Sequence, residues 1–386
     1  MKAENPTKFR TLEVTTISFA HFVHDVYSSF LAPLLPLLIE KLSISYSLAG
    51  LLTVFQRIPS LLNPFMGIVA DYLAVRYLLI FAPALTATSM SLLGVAPSYS
   101  FIVLILIITG ISASMFHVPA PVLIRKVSGL KIGKGMGFFM VGGEIARSVA
   151  PIYVLAAVSW WGLEGIWKLI PFGWMASLIL FLRFRKLKVS DAFTSKEKEI
   201  GVTKTFRKFI PLFITVAGIS FAGALLRSSL TAFLPTYLNG LGESLWVAGI
   251  GLSVLQFTGA IGTFLAGYIS DKIGRRNILL IVATLSPILL FVFTISSGLV
   301  MFFVLLILGL FVFAIPPVLM AEVNSNKSER PSFINGVYMT LNFSTGGLAV
   351  LLVGFLADFF GLKVTYQICS VISLFSFFFI FRIKNK

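Results

Sequence analysis

Charge and cysteine are what this chain has least of. Only 12% of its 386 residues are Asp, Glu, Lys or Arg, against about 25% in ordinary soluble domains. With 57% hydrophobic residues and a mean hydropathy of +0.96, that scarcity excludes a soluble globular fold, which could not hide so much apolar surface. The one cysteine, Cys369, lies in an apolar run, which excludes an intramolecular disulfide and leaves no thiol cluster for metal or redox work. Acids are scarcer than bases, 15 against 31, for a net charge of +16. Histidine is scarce too: His21, His24 and His117 are the only 3, and each falls inside an apolar run.

What is there instead is a series of long apolar runs with short polar breaks. About 20 mostly apolar residues cross a bilayer as a helix, and the runs lack the weak alternation of a membrane barrel. Twelve spans are expected, at about 14–39, 47–70, 77–96, 100–124, 135–159, 165–182, 209–238, 245–270, 277–296, 299–321, 332–357 and 363–382. The first is too long, and too polar at its centre, for a signal peptide and is expected to stay as a span. With the N-terminus inside, 25 of the 31 basic residues fall in cytoplasmic segments, while Lys41, Lys168 and Lys363 fall near the other face. Both termini are therefore expected in the cytoplasm of a cell that keeps this chain in its inner membrane. The basic excess then reports topology and contact with anionic lipid, and no nucleic-acid partner is expected.

The longest polar break, residues 183–208, carries 9 basic and 3 acidic residues and separates six spans from six. The expected domains are an N-terminal six-helix bundle (1–182), a basic cytoplasmic linker (183–208) and a C-terminal six-helix bundle (209–386). The halves echo each other at an offset of about 200 residues. Ser28 and Ser29 answer Ser228 and Ser229, Ala49-Gly50 answers Ala248-Gly249, and Gln56 answers Gln256; Gly67 and Asp71 answer Gly267 and Asp271. The fold class is thus an all-α polytopic membrane protein, twelve transmembrane helices in two pseudo-symmetric six-helix bundles. Duplication of this kind is the mark of transporters that work by alternating access.

The block His21-Phe22-Val23-His24-Asp25 sits near the middle of the first span. At about 100° per residue, His21, His24, Asp25 and Ser28 share about a third of the helix circumference. A carboxylate and two imidazoles on one face cost several kcal/mol against lipid tails, so they face protein or water, where they can titrate. Either they form a proton or substrate site or they are a polar knot that ties helices together.

The loop after the eighth span reads Gly267-Tyr-Ile-Ser-Asp271-Lys272-Ile-Gly274-Arg275-Arg276, with a degenerate copy, Gly67, Asp71 and Arg76, in the first half. It resembles the loop signature of the major facilitator superfamily. Its expected role is a latch: glycine for close helix approach, and an aspartate that pairs with arginine or a helix N-terminus. In that superfamily spans 1, 4, 7 and 10 line the cavity, spans 2, 5, 8 and 11 flank it, and the others face lipid. The mid-span ionisable residues obey this pattern: His21, His24 and Asp25 (span 1), Arg57 (span 2), His117 (span 4), Glu144 and Arg147 (span 5) and Arg227 (span 7), with Gln256 and Asn342 as neutral polar groups in spans 8 and 11. Asp25 and Glu144 offset two of the three arginines, and a bound anion would partner the third. Glu144 and Arg147, three apart on one helix, could also pair with each other.

Three further stretches resemble the fosmidomycin-resistance branch of drug exporters: His21-x-x-x-Asp25 followed by Leu31, Pro36 and Leu37; Gly110-x-Ser112-x-Ser114-Met-Phe116-His117; and Phe139-Met-Val141-Gly142-Gly143 running to Pro151. The tail Ala357-Asp358 with Tyr366-Gln-Ile-Cys369 fits as well. The chain departs from that branch where the family's His-Pro-Glu becomes His117-Val118-Pro119-Ala120, and in carrying the charges Glu144 and Arg147 in span 5. Prolines 33, 36, 59, 64, 151, 235, 316 and 317 are expected to bend spans.

These readings combine into an expectation: a proton-coupled secondary transporter of a small anionic solute or drug, such as a phosphonate antibiotic. It would act as a monomer, with no cofactor besides the proton, no metal and no catalytic residues. Asp25, His21, His24 and Glu144 would handle the proton; Arg57, His117, Arg147, Arg227, Gln256 and Asn342 would hold the solute. The resemblance implies export by antiport. Uptake by symport on the same scaffold, a membrane-embedded enzyme using His and Asp as acid and base, and a sensor that binds without flux stand as alternatives. The duplication and the latch count against the enzyme, since neither serves catalysis.

Overall fold

The structure is a computed structural model that describes residues 9–62, 75–185, 202–326 and 331–383. Every regular element among them is helical. In chain order they are α1 (Thr11–Ser28), α2 (Leu31–Leu42), α3 (Tyr46–Arg57), α4 (Val75–Ser91), α5 (Tyr99–His117), α6 (Pro119–Val127), α7 (Ile132–Trp161), α8 (Ile170–Phe184), α9 (Val202–Gly240), α10 (Leu245–Ile273), α11 (Arg275–Ile295), α12 (Gly298–Val312), α13 (Ile315–Ser325), α14 (Pro331–Ser373) and α15 (Ser376–Ile380).

Ten stretches among the described residues are long and apolar enough to cross a bilayer. One of them, Gly336–Ile380, is 45 residues long and is interrupted by Gly361 at φ 72° and ψ 162°, a conformation reserved for glycine. It therefore holds the two spans expected at about 332–357 and 363–382. The expected second span begins as α3 and a 3₁₀ turn, Ile58–Leu62, and continues outside the described residues. Pro64, Gly67 and Asp71, together with the Arg76 side chain, lie outside them too.

Three spans are broken where the sequence is polar or rich in proline. The first breaks between α1 and α2, where Ser28 Oγ and Ser29 Oγ donate to the Asp25 carbonyl at 3.2 and 2.8 Å and compete with the helix ladder. Gln56 Nε2 takes up the Ser28 carbonyl at 2.7 Å. The fourth breaks at Val118, ahead of Pro119, and the tenth at Phe313–Ala314, ahead of Pro316 and Pro317. The counterpart pair Ser228 and Ser229 lies inside the unbroken α9, so the duplicated serines do not break both halves alike. Pro151 and Pro235 also sit inside continuous helices.

The chain divides into two compact units. Unit 1 is Met1–Leu38 with Phe55–Ser195; unit 2 is Ile39–Val54 with Lys196–Lys386. The core of unit 1 gathers Val14, Ile17 and Ala20 of α1, Leu79 and Ile80 of α4, Phe116 of α5, Phe139 of α7 and Phe184 of α8. Small hydroxyls join α4 to α5: Thr86 Oγ1 meets Ser112 Oγ at 2.7 Å, and Ser89 Oγ meets Thr109 Oγ1 at 2.8 Å, the adhesive suited to helices that gain nothing by leaving lipid. The core of unit 2 gathers Phe213, Val216 and Ile219 of α9, Leu279 and Val282 of α11, Val318 and Leu319 of α13 and Tyr338 of α14. Side chains such as Phe264, Phe303 and Leu299 are turned outward, as suits a chain whose solvent is hydrocarbon.

The expected boundaries put Ile39–Val54 in the N-terminal bundle, whereas by packing it belongs to unit 2. Asp358 accepts from Tyr46 N at 2.6 Å, from Ser47 N at 3.1 Å and from Ser47 Oγ, which caps the start of α3 from α14. A Cβ on Gly354 would stand 2.6 Å from the Tyr46 carbonyl and one on Gly50 3.0 Å from the Val350 carbonyl, so two glycines let these backbones meet.

Candidate functional site

The α1 face read from the sequence points into unit 1, and Asp25 is its hub. The Asp25 side chain is only 4% exposed. Its Oδ1 stands 3.0 Å from His24 Nδ1 and 3.2 Å from His117 Nε2, and its Oδ2 stands 3.3 Å from His21 Nε2 and 3.3 Å from Arg147 Nη1. Arg147 Nη2 also meets Glu144 Oε1, one turn earlier on α7. The structure thus brings together His21, His24, Asp25, His117, Glu144 and Arg147 from three helices. The Glu144–Arg147 pairing foreseen on one helix is present, but Arg147 bridges both acids rather than serving one.

The proton inventory of this cluster follows from a single backbone contact. His21 Nδ1 lies 2.7 Å from the Phe139 carbonyl oxygen. A carbonyl only accepts, so Nδ1 carries a hydrogen. A neutral His21 then presents the bare lone pair of Nε2 to the Asp25 carboxylate, acceptor against acceptor. The contact becomes a hydrogen bond only when one more proton is held, on Nε2 or on Asp25. Charge counting gives the same number: Asp25 and Glu144 outweigh Arg147 by one, and one proton balances them.

Packing holds the pair in place. His21 stacks on Phe139 with ring centroids 4.0 Å apart, and His24 stacks on Phe116 at 4.8 Å. His24 spends Nδ1–H on Asp25, while its Nε2 is buried without a partner, so its far edge is sealed. A Cβ on Gly143 would stand 2.6 Å from His21 Cε1, 2.8 Å from His21 Nε2 and 3.1 Å from Asp25 Oδ2; the absent side chain is the room the pair occupies. The open side is formed by His117, 39% exposed at the C-terminal end of α5, and Arg147, 36% exposed.

His21, Asp25 and His117 offer three ligand atoms within 4.8 Å of one another, a spacing a metal ion could use. Arg147 already places a permanent cation on the same carboxylate, which opposes a dication there. The donor set suits a proton better.

The remaining expected residues lie elsewhere. Arg57 ends α3, half-buried and not free. In unit 2, Arg227 of α9 and Asn342 of α14 line one small cavity with Ser220, Gly223, Ala224, Val312, Ile315 and Pro316. The Arg227 guanidinium lies 6.0 Å from the Phe313 ring. Gln256 is buried in α10 and is not among the residues lining that cavity.

In the latch loop, Gly274 at φ 91° and ψ 144° ends α10 and starts α11, a turn that needs glycine. The ion pair is Arg275 Nη1 with Glu322 Oε2 of α13, at 3.0 Å, while Asp271 and Lys272 line the adjoining polar cavity. Lys272 Nζ lies over the Tyr268 ring at 4.4 Å and Arg276 over Phe381 at 5.1 Å. Gly267, read as a point of close helix approach, finds nothing within 4 Å of its Cβ position; the conformational demand falls on Gly274 instead.

Sequence reasoning missed the Phe139 carbonyl, Gly143 as clearance and Glu322. The consecutive glycines 142–143 just ahead of a charged residue were the available signal for the clearance. The others carry none, because they are defined by which helix lies opposite.

Comparison with known proteins agrees with this architecture. The chain is 24% identical to the fosmidomycin resistance protein of Escherichia coli (strain K12) over 394 residues, covering 100% of this chain and 96% of that relative. A bacterial homolog of the human lysosomal transporter Spinster, solved in an inward-facing and unoccupied conformation, superposes with a TM-score of 0.80 at 16% identity, covering 98% of this chain and 97% of the other. A D-xylose–proton symporter superposes with a TM-score of 0.74 at 14% identity, covering 97% and 98%. The description "Major Facilitator Superfamily" matches residues 17–350, and with helices, broken spans and a buried ionisable cluster already in view, the chain belongs to that superfamily of membrane transporters.

Proposed function

We propose that this protein is a proton-coupled secondary transporter of a small anionic solute, with the Asp25–His21 pair as the proton carrier. The observation behind this reading is the His21 Nδ1 contact with the Phe139 carbonyl, which makes the Asp25 contact depend on one further proton. With that proton held, the cluster is neutral and His21 joins Arg147 on Asp25 Oδ2. When it leaves, His21 Nε2 opposes the carboxylate, and Arg147, His24 and His117 hold Asp25 without it. A carboxylate whose partners change with one proton is the kind of two-state element that can be tied to alternating access. His117, at the open edge, relays the proton or meets the solute, and Glu144 is the second acid through its hold on Arg147.

Arg57, Arg147 and Arg227 supply charge for the anion, with Gln256 and Asn342 as neutral partners. The chain works as a monomer in the cell's inner membrane; the basic residues of its loops support a cytoplasmic placement of both termini. The Asp271–Arg276 loop, with Arg275 on Glu322, acts as a latch on one access state.

Export by antiport is the direction favoured by the name of the Escherichia coli relative, a resistance protein. The charge count favours a second reading: an anion is better accepted by the protonated, neutral cluster than by the deprotonated, negative one, which is the logic of symport. Proteoliposomes under an imposed pH gradient separate the two. A labelled phosphonate antibiotic moving against the proton flow supports antiport, and movement with it supports symport. In Asp25→Asn and His21→Gln, gradient-driven flux should fall by at least about tenfold while solute exchange without a gradient persists. Gradient-driven flux that survives both substitutions would sink the assignment of the proton carrier.

A further inference from the structure

Unit 1 carries an apolar groove of about 180 Å³ on the far side of α1 from its charged face. Val23 and Val26 of α1, Val149 and Tyr153 of α7, and Phe172 and Met175 of α8 form its walls. At about 100° per residue, Val23 falls about 160° around the helix from both His21 and Asp25. Phe172 and Met175 are half exposed, so the groove opens outward, and the medium outside a chain that spans a bilayer is hydrocarbon. An apolar hollow of about 150 Å³ stays dry and holds one benzene ring, so this one has room for a short stretch of hydrocarbon chain. Left empty, its walls would forfeit their dispersion contacts.

One end of the groove is marked by polar groups. The Tyr27 side chain lines it, and its hydroxyl donates to the Leu169 carbonyl at 2.5 Å. Leu169 closes the 3₁₀ turn Glu164–Leu169, which joins α7 to α8 and so lies where the fifth and sixth spans leave the membrane. Next to it the exposed Lys168 holds its Nζ 5.3 Å from the Trp161 ring. Trp160 and Trp167 are exposed around the same turn, as indoles are at the level of lipid headgroups. A contact with a ring supplies an ammonium group with no acceptor oxygen. Glu164, the acid of that turn, is not free.

A hydrocarbon groove that ends beside an ammonium group at headgroup level fits a molecule with a chain and an anionic head. A chain that passes from bilayer to groove gains only packing, so the head must do the selecting. We propose that this groove seats one anionic phospholipid, its acyl chain along Val149 and Phe172 and its phosphate on Lys168. Seated there, the lipid braces α1 against α7 from the side away from Asp25.

The test is native mass spectrometry of the full chain, stripped of lipid in detergent and titrated with phosphatidylglycerol or with phosphatidylethanolamine of the same chains. Wild type should bind its first phosphatidylglycerol about fivefold more tightly than its first phosphatidylethanolamine. Lys168→Gln should erase that preference, whereas Lys363→Gln, at a basic residue read to the same membrane face, should keep it. Val149→Phe, which fills the groove and leaves the charge, should remove the tight first event; if it does not fold, the two lysine variants still decide. Wild type without a preference, or a preference that survives Lys168→Gln or falls equally in Lys363→Gln, means an unspecific coat of lipid and overturns the site. A tight first event that survives Val149→Phe overturns the groove as its seat. Glycerol phosphate, a head without a chain, should not compete; competition at the lipid's own concentration would mean a site for a soluble phosphate ester and overturn the lipid. A dimer that Val149→Phe dissolves would give the groove to a second copy of the chain and overturn it as well.

Discussion

A proton site needs room as much as it needs titratable groups, and Gly143 shows how little room is spare. A side chain there would press on the His21 ring and on Asp25 Oδ2, whereas one on Gly142 would meet the Ser18 carbonyl at 2.6 Å. The two neighbouring glycines therefore fail in different ways when changed to alanine. Gly143→Ala should displace the pair, lowering stability by about 1–3 kcal/mol and altering the pH dependence of transport. Gly142→Ala should push α1 away from α7 and lower stability by a similar amount while the pH profile keeps its shape. Melting temperature and flux against pH, measured side by side, check both; an unaltered pH profile in Gly143→Ala would show that the pair tolerates a methyl group. At this scale the sequence was legible only in part. His21, His24 and Asp25 could be read onto one face because a helix has a known period. The carbonyl that fixes the His21 tautomer comes from Phe139, 118 residues away, and no local pattern encodes it.

At the scale of elements, the polar or proline-rich breaks in the first, fourth and tenth spans coincide with groups that can bind or titrate. His117 is the last residue of α5, with only Val118 between it and Pro119. The broken ends were foreseeable from Pro316 and Pro317, but Pro151 and Pro235 lie in helices that continue through them, since neighbours in the membrane can satisfy the freed carbonyls. The latch loop gives a sharper case. Its motif carries two glycines, and the backbone distinguishes them: Gly274 stands at φ 91° and ψ 144°, while Gly267 has open space around its Cβ position. Gly274→Ala should cost on the order of 1–3 kcal/mol, and Gly267→Ala should be close to neutral. Chemical or thermal unfolding of the two variants in the same detergent gives the comparison, and equal losses would mean that the turn is not what the motif protects.

At the scale of the whole molecule, the duplication at an offset of about 200 residues was plain in the sequence, because both copies kept Gln, Gly and Asp in step. Where packing cuts the chain was not plain. Ile39–Val54 is covalently part of the first half but sits in unit 2, and the reason lies about 300 residues away in Asp358, Val350 and Gly354. Asp358 appeared in the sequence only as one residue of a resembling tail; in the structure its carboxylate accepts from two backbone amides and one hydroxyl at the start of α3. Those amides belong to the first turn of a helix and have no partner within it. Removing the carboxylate therefore leaves the helix in place but uncapped. Asp358→Ala should lower stability by about 1–2 kcal/mol, and hydrogen exchange should quicken at Tyr46 and Ser47 ahead of the rest of α3. Asp358→Asn, whose amide oxygen can still accept, should recover part of that protection. If exchange at the two amides is the same in all three proteins, the cap does not hold this segment to unit 2, and the glycine contacts at Gly50 and Gly354 carry the attachment by themselves.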